Sequence, residues 1–501
     1  MVRKKIGFVT YYWKRLIYIL IIASAFLLTT FKFSWAATEP KHYKDLTFPP
    51  LAEITLPKYE RYVLNNGMVI YLIEDHKLPL VSGSMVIRTG YRLEPADKVG
   101  LGSLVGNLMR TGGTKKHSAH QINQMLEQKA AAVETSIGET AGSASFSALR
   151  EDLNLVFGLF AEIIHEPIFA QDKLDLAKTQ ERGQIARRND SPDVIAKREF
   201  KKLIYGQGSP YARTAEYSTL DNIYRTDLVR FYQQYFQPNN IILGIIGDFD
   251  VAKMKSLIQD NFGEWETNTE IVAKSPILPN VHSVTSNGVF FINQTQLTQS
   301  NILIGHLGGR FDSHDYPALE VLNGVLNGFG GRLFNEIRTR QGLAYSVYGI
   351  WSPRYDYPGI FIAGGQTRSD ATVQFVKAVK TEIKRIQDQP ISPEELAFAK
   401  ESTLNSFVFN FQDSEQTLAR LMKYEYYNYP PDFLFRYRRA VEATTAVDLQ
   451  RVANKYLRPD NFVTLVVGNK KEIKPSLTEL SAQIKPININ IPGSYKPPAK
   501  F

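Results

Sequence analysis

The sequence predicts an α+β fold made of two homologous domains, each a β-sheet with helices packed on it, closing as a clamp around a cavity. Three observations carry that prediction. Residues 226–249 (TDLVRFYQQYFQPNNIILGIIGDF) and 447–470 (VDLQRVANKYLRPDNFVTLVVGNK) align without gaps at an offset of 221, with Asp227/Asp448, Leu228/Leu449, Arg230/Arg451, Tyr235/Tyr456, Pro238/Pro459, Asn240/Asn461 and Gly247/Gly468 identical. Each segment reads as a short amphipathic helix, a Pro-Asn or Pro-Asp turn and an apolar strand ending at Gly. Strands and helices also precede both segments in a mixed order, and 501 residues accommodate two units of that period.

In the first half, β-rich runs at 68–74 and 81–88 flank the Lys77-Leu78-Pro79 turn and read as a hairpin. A helix is predicted near 99–111. Another starts at Ser118, where Ser118 and Gln121 have capping-box spacing. Residues 133–148 alternate like a strand, and helices follow near 151–165, 170–189 and 193–205. The second half opens with strands at 288–293 and 300–306. Helices at 315–328 and 331–340 come next, then strands at 343–351 and 358–366, then long helices near 368–387 and 393–412. The helices are expected on one face of each sheet. The expected boundaries are 1–36 for an export segment, 50–265 and 288–483 for the domains, 266–287 for a linker rich in Asn, Thr, Ser and Pro, and 484–501 for a Pro-rich tail that is extended or mobile.

Composition narrows the function. Apolar and charged fractions of 44% and 22% are ordinary for a globular chain and exclude a disordered or polytopic membrane protein. The absence of Cys excludes disulfide scaffolds, thiolate zinc sites, iron–sulfur clusters and a cysteine nucleophile. Residues 1–36 hold six basic and no acidic residues, so the net charge of +9 falls to +3 without them, and overall charge points to no nucleic-acid partner. A basic stretch to Arg15, the uncharged run 16–30 and Ser34-Trp35-Ala36 form the three-part secretory pattern, read as a cleaved signal or an uncleaved anchor over 16–36. Either places residues 37–501 outside the cytoplasm, in the periplasm if the source has two membranes. A membrane is a partner only if the segment is retained.

The duplication and several motifs resemble the pitrilysin, insulinase and mitochondrial processing peptidase family of zinc metallopeptidases. The resemblance runs over about 55–470, through Leu64–Met68, Gly90–Glu94, Gly100–Thr114, Glu181–Pro192 and Gly331–Tyr345. It implies two domains facing each other across a cavity roomy enough for an unfolded peptide. It also implies an inverted zinc motif, His-x-x-Glu-His, on a helix of the first domain. There two His four apart share a zinc, the Glu takes a proton from zinc-bound water, and a Glu about 77 residues on completes the site. At the matching positions this sequence has Ser103, Gly106, Asn107 and Gln184. Three are poor neutral ligands and Gly106 cannot accept a proton, so no zinc is expected in this chain.

Other metal or nucleophile sites are not expected. Of eight His, His117 and His120 are three apart but straddle the helix-cap residue Ser118 and lack a third ligand. His165 reads as structural, at a helix end where positive charge meets the dipole. Ser103 reads as a small residue filling space, not a nucleophile.

The second half keeps Gly330-Gly331-Arg332-Leu333-Phe334-Asn335-Glu336-Ile337-Arg338, then Thr339 to Tyr345. This looks like the family's arginine–tyrosine segment, whose two side chains reach towards a zinc site, hold the substrate backbone and stabilise an oxyanion. Gly342 can turn the chain from helix to strand between Arg338 and Tyr345. Taken alone, Arg338 is a surface arginine near Glu336 and Arg340 and Tyr345 a packed strand aromatic, but the surrounding motif favours the functional reading. The resemblance therefore implies a non-catalytic subunit, inactive alone, that binds peptide and lends Arg338 and Tyr345 to a homologous partner chain carrying the zinc. The alternative is a stand-alone peptide- or protein-binding clamp. The aromatic run Tyr424–Pro431 could line the cavity or face a partner, and is read as helix-end packing followed by a turn.

Overall fold

A computed structural model of the chain describes residues 56–267, 278–285, 287–409 and 413–493. The expected export segment 1–36, part of the linker 266–287 and the end of the tail lie outside these residues. Among the described residues no helix is long and apolar enough to cross a membrane.

The first sheet holds β1 (Glu60–Val63), β2 (Val69–Glu74), β3 (Leu80–Ile87), β4 (Ala132–Ile137), β5 (Gly142–Leu149) and β6 (Ile241–Gly247), in the order β1-β2-β6-β3-β5-β4. The second holds β7 (Gly288–Asn293), β8 (Gln299–Leu307), β9 (Ala344–Ser352), β10 (Ile360–Arg368), β11 (Val463–Gly468) and β12 (Ile484–Pro486), in the order β12-β7-β11-β8-β10-β9. Five strands correspond one to one. In each sheet the last strand of the repeat runs parallel to the first and antiparallel to the second. The sixth is taken from opposite chain ends: β1 precedes its repeat and pairs antiparallel with β2, whereas β12 follows its repeat and pairs parallel with β7.

Two strand expectations need correction. Residues 68–88 do not form a hairpin, because β6 lies between β2 and β3 and bonds to both. Apolar runs either side of a turn cannot reveal that a strand some 160 residues on will intercalate. Residues 133–148 are two strands, β4 and β5, turning at Gly138–Ala141 and antiparallel in register Val133↔Phe146.

The helices of the first half are α1 (Leu101–Thr111), α2 (Ala119–Gln128), α3 (Leu153–His165), α4 (Gln171–Arg187), α5 (Pro192–Tyr205), α6 (Tyr217–Asp221), α7 (Arg225–Tyr235) and α8 (Val251–Phe262). The second half has α9 (Tyr316–Leu326), a π-helix at Phe334–Arg340, α10 (Thr372–Asp388), α11 (Pro393–Val408), α12 (Ser414–Tyr427), α13 (Phe433–Ala443) and α14 (Ala446–Tyr456). The Ser118/Gln121 capping box forms at the start of α2. The repeated segments fold alike, as α7, a 3₁₀ turn and β6, and as α14, a 3₁₀ turn and β11. Asp227 and Asp448 each accept the backbone N–H of their helix N-cap, so the shared Asp is a cap.

Helices do not lie on one sheet face only. The first sheet buries Leu72, Met85, Leu243 and Ile245 against helices of its own half. Its other face, at Tyr71, Ile73 and Ile242, is covered by Leu418, Leu421, Met422 and Tyr426 of α12, from the second half. The second sheet likewise buries Ile302, Ile304 and Val466 under α9, α10 and α14. Its other face, at Phe290, Leu303 and Leu465, receives Ile195, Phe200 and Ile204 of α5, from the first half. Each half thus lends one helix to the other. A cavity of about 750 Å³, lined by both halves, remains beside α12. That is the size of a small-molecule site, not of a chamber for an unfolded peptide.

The described part of the tail begins with β12. Ile487 donates its N–H to Phe291 O, Ile487 and Ile489 pack against the α5-covered core, and Ile491 against the first-half core.

Candidate functional site

The segment Ser103–Asn107, which the resemblance sets against the family's zinc motif, lies on α1, which packs against β4, an edge strand of the first sheet, and against α4. Gly100 starts α1 from a left-handed conformation, φ 108°. Buried Glu94 accepts the backbone N–H groups of Gly100 (3.1 Å) and Gly102 (2.9 Å), anchoring a carboxyl at the helix N-terminus. Burial pushes this carboxyl up to about 7, while the backbone donors and Arg213 pull the other way.

Ser103 and Asn107, four apart, share the exposed face of α1, where a two-His site would stand. Asn107 Oδ1 accepts from Thr111 Oγ1 at 3.1 Å within the same helix. Gln184 is exposed on α4. Gly106 faces inwards. A Cβ there would lie 2.3 Å from Ile137 N and 2.7 Å from Ser136 C, and Thr135 Oγ1 donates to Gly106 O at 2.6 Å. The strand backbone therefore occupies the space that an acid at position 106 would need. Ser, Asn and Gln oxygens around a position that admits no side chain do not fit a zinc ion. Among the described residues no group of three or more His, Asp or Glu is placed to hold a metal.

His117 and His165 have structural surroundings. His117 lies just before the α2 cap, and its Nδ1 is 3.0 Å from the Glu162 carboxylate. His165 ends α3 but is not the charged dipole partner expected. Tilted against Trp265 with centroids 4.2 Å apart and packed on Phe262, it is desolvated, and its pKa falls to about 4. It is neutral at pH 7, because losing hydration costs the cation more than a helix end returns.

Arg338 and Tyr345 are brought together. Arg338 lies in the π-helix, whose wide turn is closed by Gln341 N–H donating to Glu336 O at 3.1 Å. Gly342, at φ 62°, reverses the chain into β9, as the sequence suggested. β9 is the edge strand of the second sheet, as β4 is of the first. The β9–β10 register shifts between Ser346↔Gln366 and Ala344↔Thr367, which makes Tyr345 the extra residue of a β-bulge and aims it outwards, 83% exposed.

The Arg338 guanidinium lies between two rings, 4.6 Å from the Tyr345 centroid and 4.7 Å from that of Phe334. Phe334 is in turn edge-on to Phe329, also 83% exposed. Glu336 does not neutralise Arg338, since its carboxylate takes Arg340 Nη1 at 2.9 Å and Gln341 Nε2 at 3.0 Å. Among the described residues Arg338 has no hydrogen bond or ion pair. Two rings pack on it and its N–H groups are left without a partner, which suits recognition of a carbonyl or carboxylate. The other arginine of the motif is structural: Arg332, buried, forms a bidentate pair with Glu395 of α11 (2.6 and 2.9 Å).

The sequence singles out Arg338, Gly342 and Tyr345, which the fold brings together, but not Phe334, although its place four residues before Arg338 in a helix is a usable signal. It could not find the π-turn or the bulge, which leave no mark in residue type. Tyr424–Pro431 is the expected helix end, closed by Asn428 in the left-handed region, yet Tyr426 and Tyr427 also line the cavity between the halves.

Two mixed six-stranded sheets of matching strand order, each packed with helices of both halves, define a duplicated α+β architecture. The chain belongs to peptidase family M16, the insulinase family. Residues 69–209 match the model for insulinase (peptidase family M16), and residues 222–403 match that for the peptidase M16 inactive domain. An uncharacterised zinc protease of Bacillus subtilis is 23% identical over 370 residues, covering 73% of this chain and 88% of that protein. A non-peptidase homologue of Helicobacter pylori is 23% identical over 418 residues, covering 80% and 92%. Among solved structures, a peptidase M16 inactive domain from Pseudomonas fluorescens superposes with a TM-score of 0.72 at 22% identity, covering 84% of this chain and all of that one. The periplasmic protease PqqL of Escherichia coli gives 0.68 at 14% identity, covering 88% of this chain and 50% of that one.

Proposed function

We propose that this chain is the non-catalytic subunit of an exported, periplasmic, heterodimeric zinc metallopeptidase. It binds peptide substrate and supplies Arg338 and Tyr345 to the active site of a homologous, zinc-bearing partner. The observation that carries the reading is the state of Arg338: a cation held against the Phe334 and Tyr345 rings, with no hydrogen bond or ion pair among the described residues. A purely structural arginine would be paired, as Arg332 is. Further support comes from the poor fit of Ser103, Gly106, Asn107 and Gln184 to zinc, and from relatives that include both zinc proteases and a non-peptidase homologue. The 750 Å³ cavity within the chain also favours a peptide chamber formed between chains.

The geometry suits one task. When water adds to a peptide carbonyl at the partner's zinc, negative charge gathers on oxygen. A preorganised guanidinium edge and a phenol O–H can stabilise it without reorganisation. The test mixes the chain with a homologue that carries an intact His-x-x-Glu-His. Arg338→Ala or Tyr345→Phe should lower kcat roughly 100- to 1,000-fold, the scale of losing one oxyanion donor, with the complex still assembled. Undiminished turnover in both variants would leave a binding clamp as the function. Zinc-dependent cleavage by the purified chain alone would refute the subunit assignment outright.

A further inference from the structure

The cavity between the halves is unlike the rest of the interface. Its floor is the face of the first sheet that α12 leaves uncovered, where the cross-strand pairs Ser84↔Ser145 and Val86↔Ser143 lie side by side on β3 and β5. One wall is aromatic. Tyr427 of α12 stacks on Tyr355 of the β9–β10 loop with centroids 4.7 Å apart and planes 8° apart, and Tyr426 completes the wall. The lining is mostly apolar, so a ligand with a hydrocarbon or aryl body is preferred over a fully hydroxylated one.

Its charges do not balance. Two acids border the cavity, and each is already matched by a cation. Glu139 accepts the Tyr357 O–H and pairs with Lys201 at 3.2 Å, and Asp356 pairs with Arg92. Two cations of the lining, Arg354 and Lys423, have no carboxylate within ion-pair distance among the described residues: Arg354 is held near Tyr357 and, at longer range, Glu139, and Lys423 lies 5.6 Å above the Tyr355 ring. Partial desolvation beside Arg420, with no acid to offset it, lowers the Lys423 pKa. An apolar trough with an aromatic wall and two lining cations that make no close ion pair is complementary to an amphipathic anion.

We infer that this cavity is a binding site for an organic anion with an apolar, preferably aromatic, body, its carboxylate or sulfonate held by Arg354 and Lys423. Such a ligand touches β3 and β5 of one half and α12 and the β9–β10 loop of the other, so it ties the halves together. A free aryl carboxylate and the C-terminal aromatic residue of a peptide share this chemistry.

The experiment titrates the full mature chain with anilinonaphthalene sulfonate and follows its fluorescence. Phenylpropionate, its neutral amide and a tripeptide ending in a free phenylalanine carboxylate then compete for the site. One saturable site is expected, displaced by the two carboxylates and not by the amide, and occupancy should raise the unfolding temperature. The stronger competitor identifies the natural source, small molecule or peptide end. In the double variant Arg354→Gln/Lys423→Gln the probe should bind about tenfold more weakly or worse, since both charged partners are gone. Should that variant not fold, Lys423→Gln alone should give a smaller loss in the same direction. Unchanged affinity in the charge variants, or displacement by the amide as effective as by the acid, overturns the inference. Activity with a zinc-bearing partner plays no part in the readout, so the result stands apart from the subunit assignment.

Discussion

Replacing Gly106 by Ala tests whether the lost general-base position is closed by packing. A Cβ at 106 meets three backbone atoms of β4, at 2.3, 2.7 and 2.9 Å. Ordinary contact begins near 3.4 Å, so helix and strand must part by about 1 Å. The strand cannot yield freely, since β5 holds it along its length and Thr135 ties it to the Gly106 carbonyl. Overpacking of this kind costs about 1–3 kcal/mol and strains that hydrogen bond by about another 1, against about 1 returned by the better helix propensity of Ala. The net is a loss of about 2 kcal/mol. Gly183, inside α4, is the matched control: nothing lies within 4 Å of its Cβ position, so Gly183→Ala should stabilise by about 0.5–1 kcal/mol. Urea unfolding of both variants beside the parent reads the contrast directly. A Gly106→Ala protein as stable as the parent would refute the reasoning. If it stands, restoring Ser103→His, Gly106→Glu, Asn107→His and Gln184→Glu together is not enough to restore zinc chemistry, because the acid has no room.

Two further outcomes follow from the same contacts. Glu94 has its folded-state pKa raised from 4.5 to about 7, so its favourable contribution is complete below about pH 4.5 and is lost as pH rises through 7, by at most about 3 kcal/mol. Glu94→Gln should therefore be most destabilising near pH 5 and much less so near pH 8 in urea unfolding, and a deficit that grows with pH would contradict this. Phe334→Leu removes one of the two ring contacts of Arg338, worth about 0.5–1 kcal/mol. In the mixed assembly it should lower kcat about two- to fivefold with folding intact, and Phe334→Tyr should restore it. Equal rates for Leu and Tyr would show that Phe334 only packs.

How far the fold was legible depends on the range of the contact. The repeated helix–turn–strand was readable because its markers are local: a capping Asp, a Pro-led turn, an apolar strand and a closing Gly. The intercalation of β6 between β2 and β3 was not, since nothing in Val69–Ile87 encodes a partner so distant in the chain. At the site, Arg338 and Tyr345 were identified by motif, but their geometry comes from a π-turn and a one-residue bulge. Gly106 read as a missing proton acceptor. The structure adds that it is a close-approach glycine, a property of β4 and not of α1. His165 shows the opposite failure: a helix-end rule was applied where burial beside Trp265 overrules it.

The reciprocal helices are written in the strand patterns. β2 (VIYLIE), β6 (IILGIIG) and β11 (VTLVVG) are nearly continuous apolar runs, the mark of strands buried on both faces. Each half supplies helices to one face of its sheet, so the second face must be covered from elsewhere, and duplication provides the means. Gly244 on β6 marks the exchange, since a Cβ there would lie 2.4 Å from Met422 Sδ of α12. β5 (GSASFSAL) instead alternates strictly, burying Ala144 and Phe146 and leaving Ser143 and Ser145 uncovered. The lent helix therefore seals the central strands and stops short of β5, which is why the cavity opens there with a serine floor and an α12 wall. The same helix that joins the halves into one folding unit thus also defines the cavity between them. A peptide-sized chamber would have to form on the outer edges, where α1, β4, the π-helix and β9 lie.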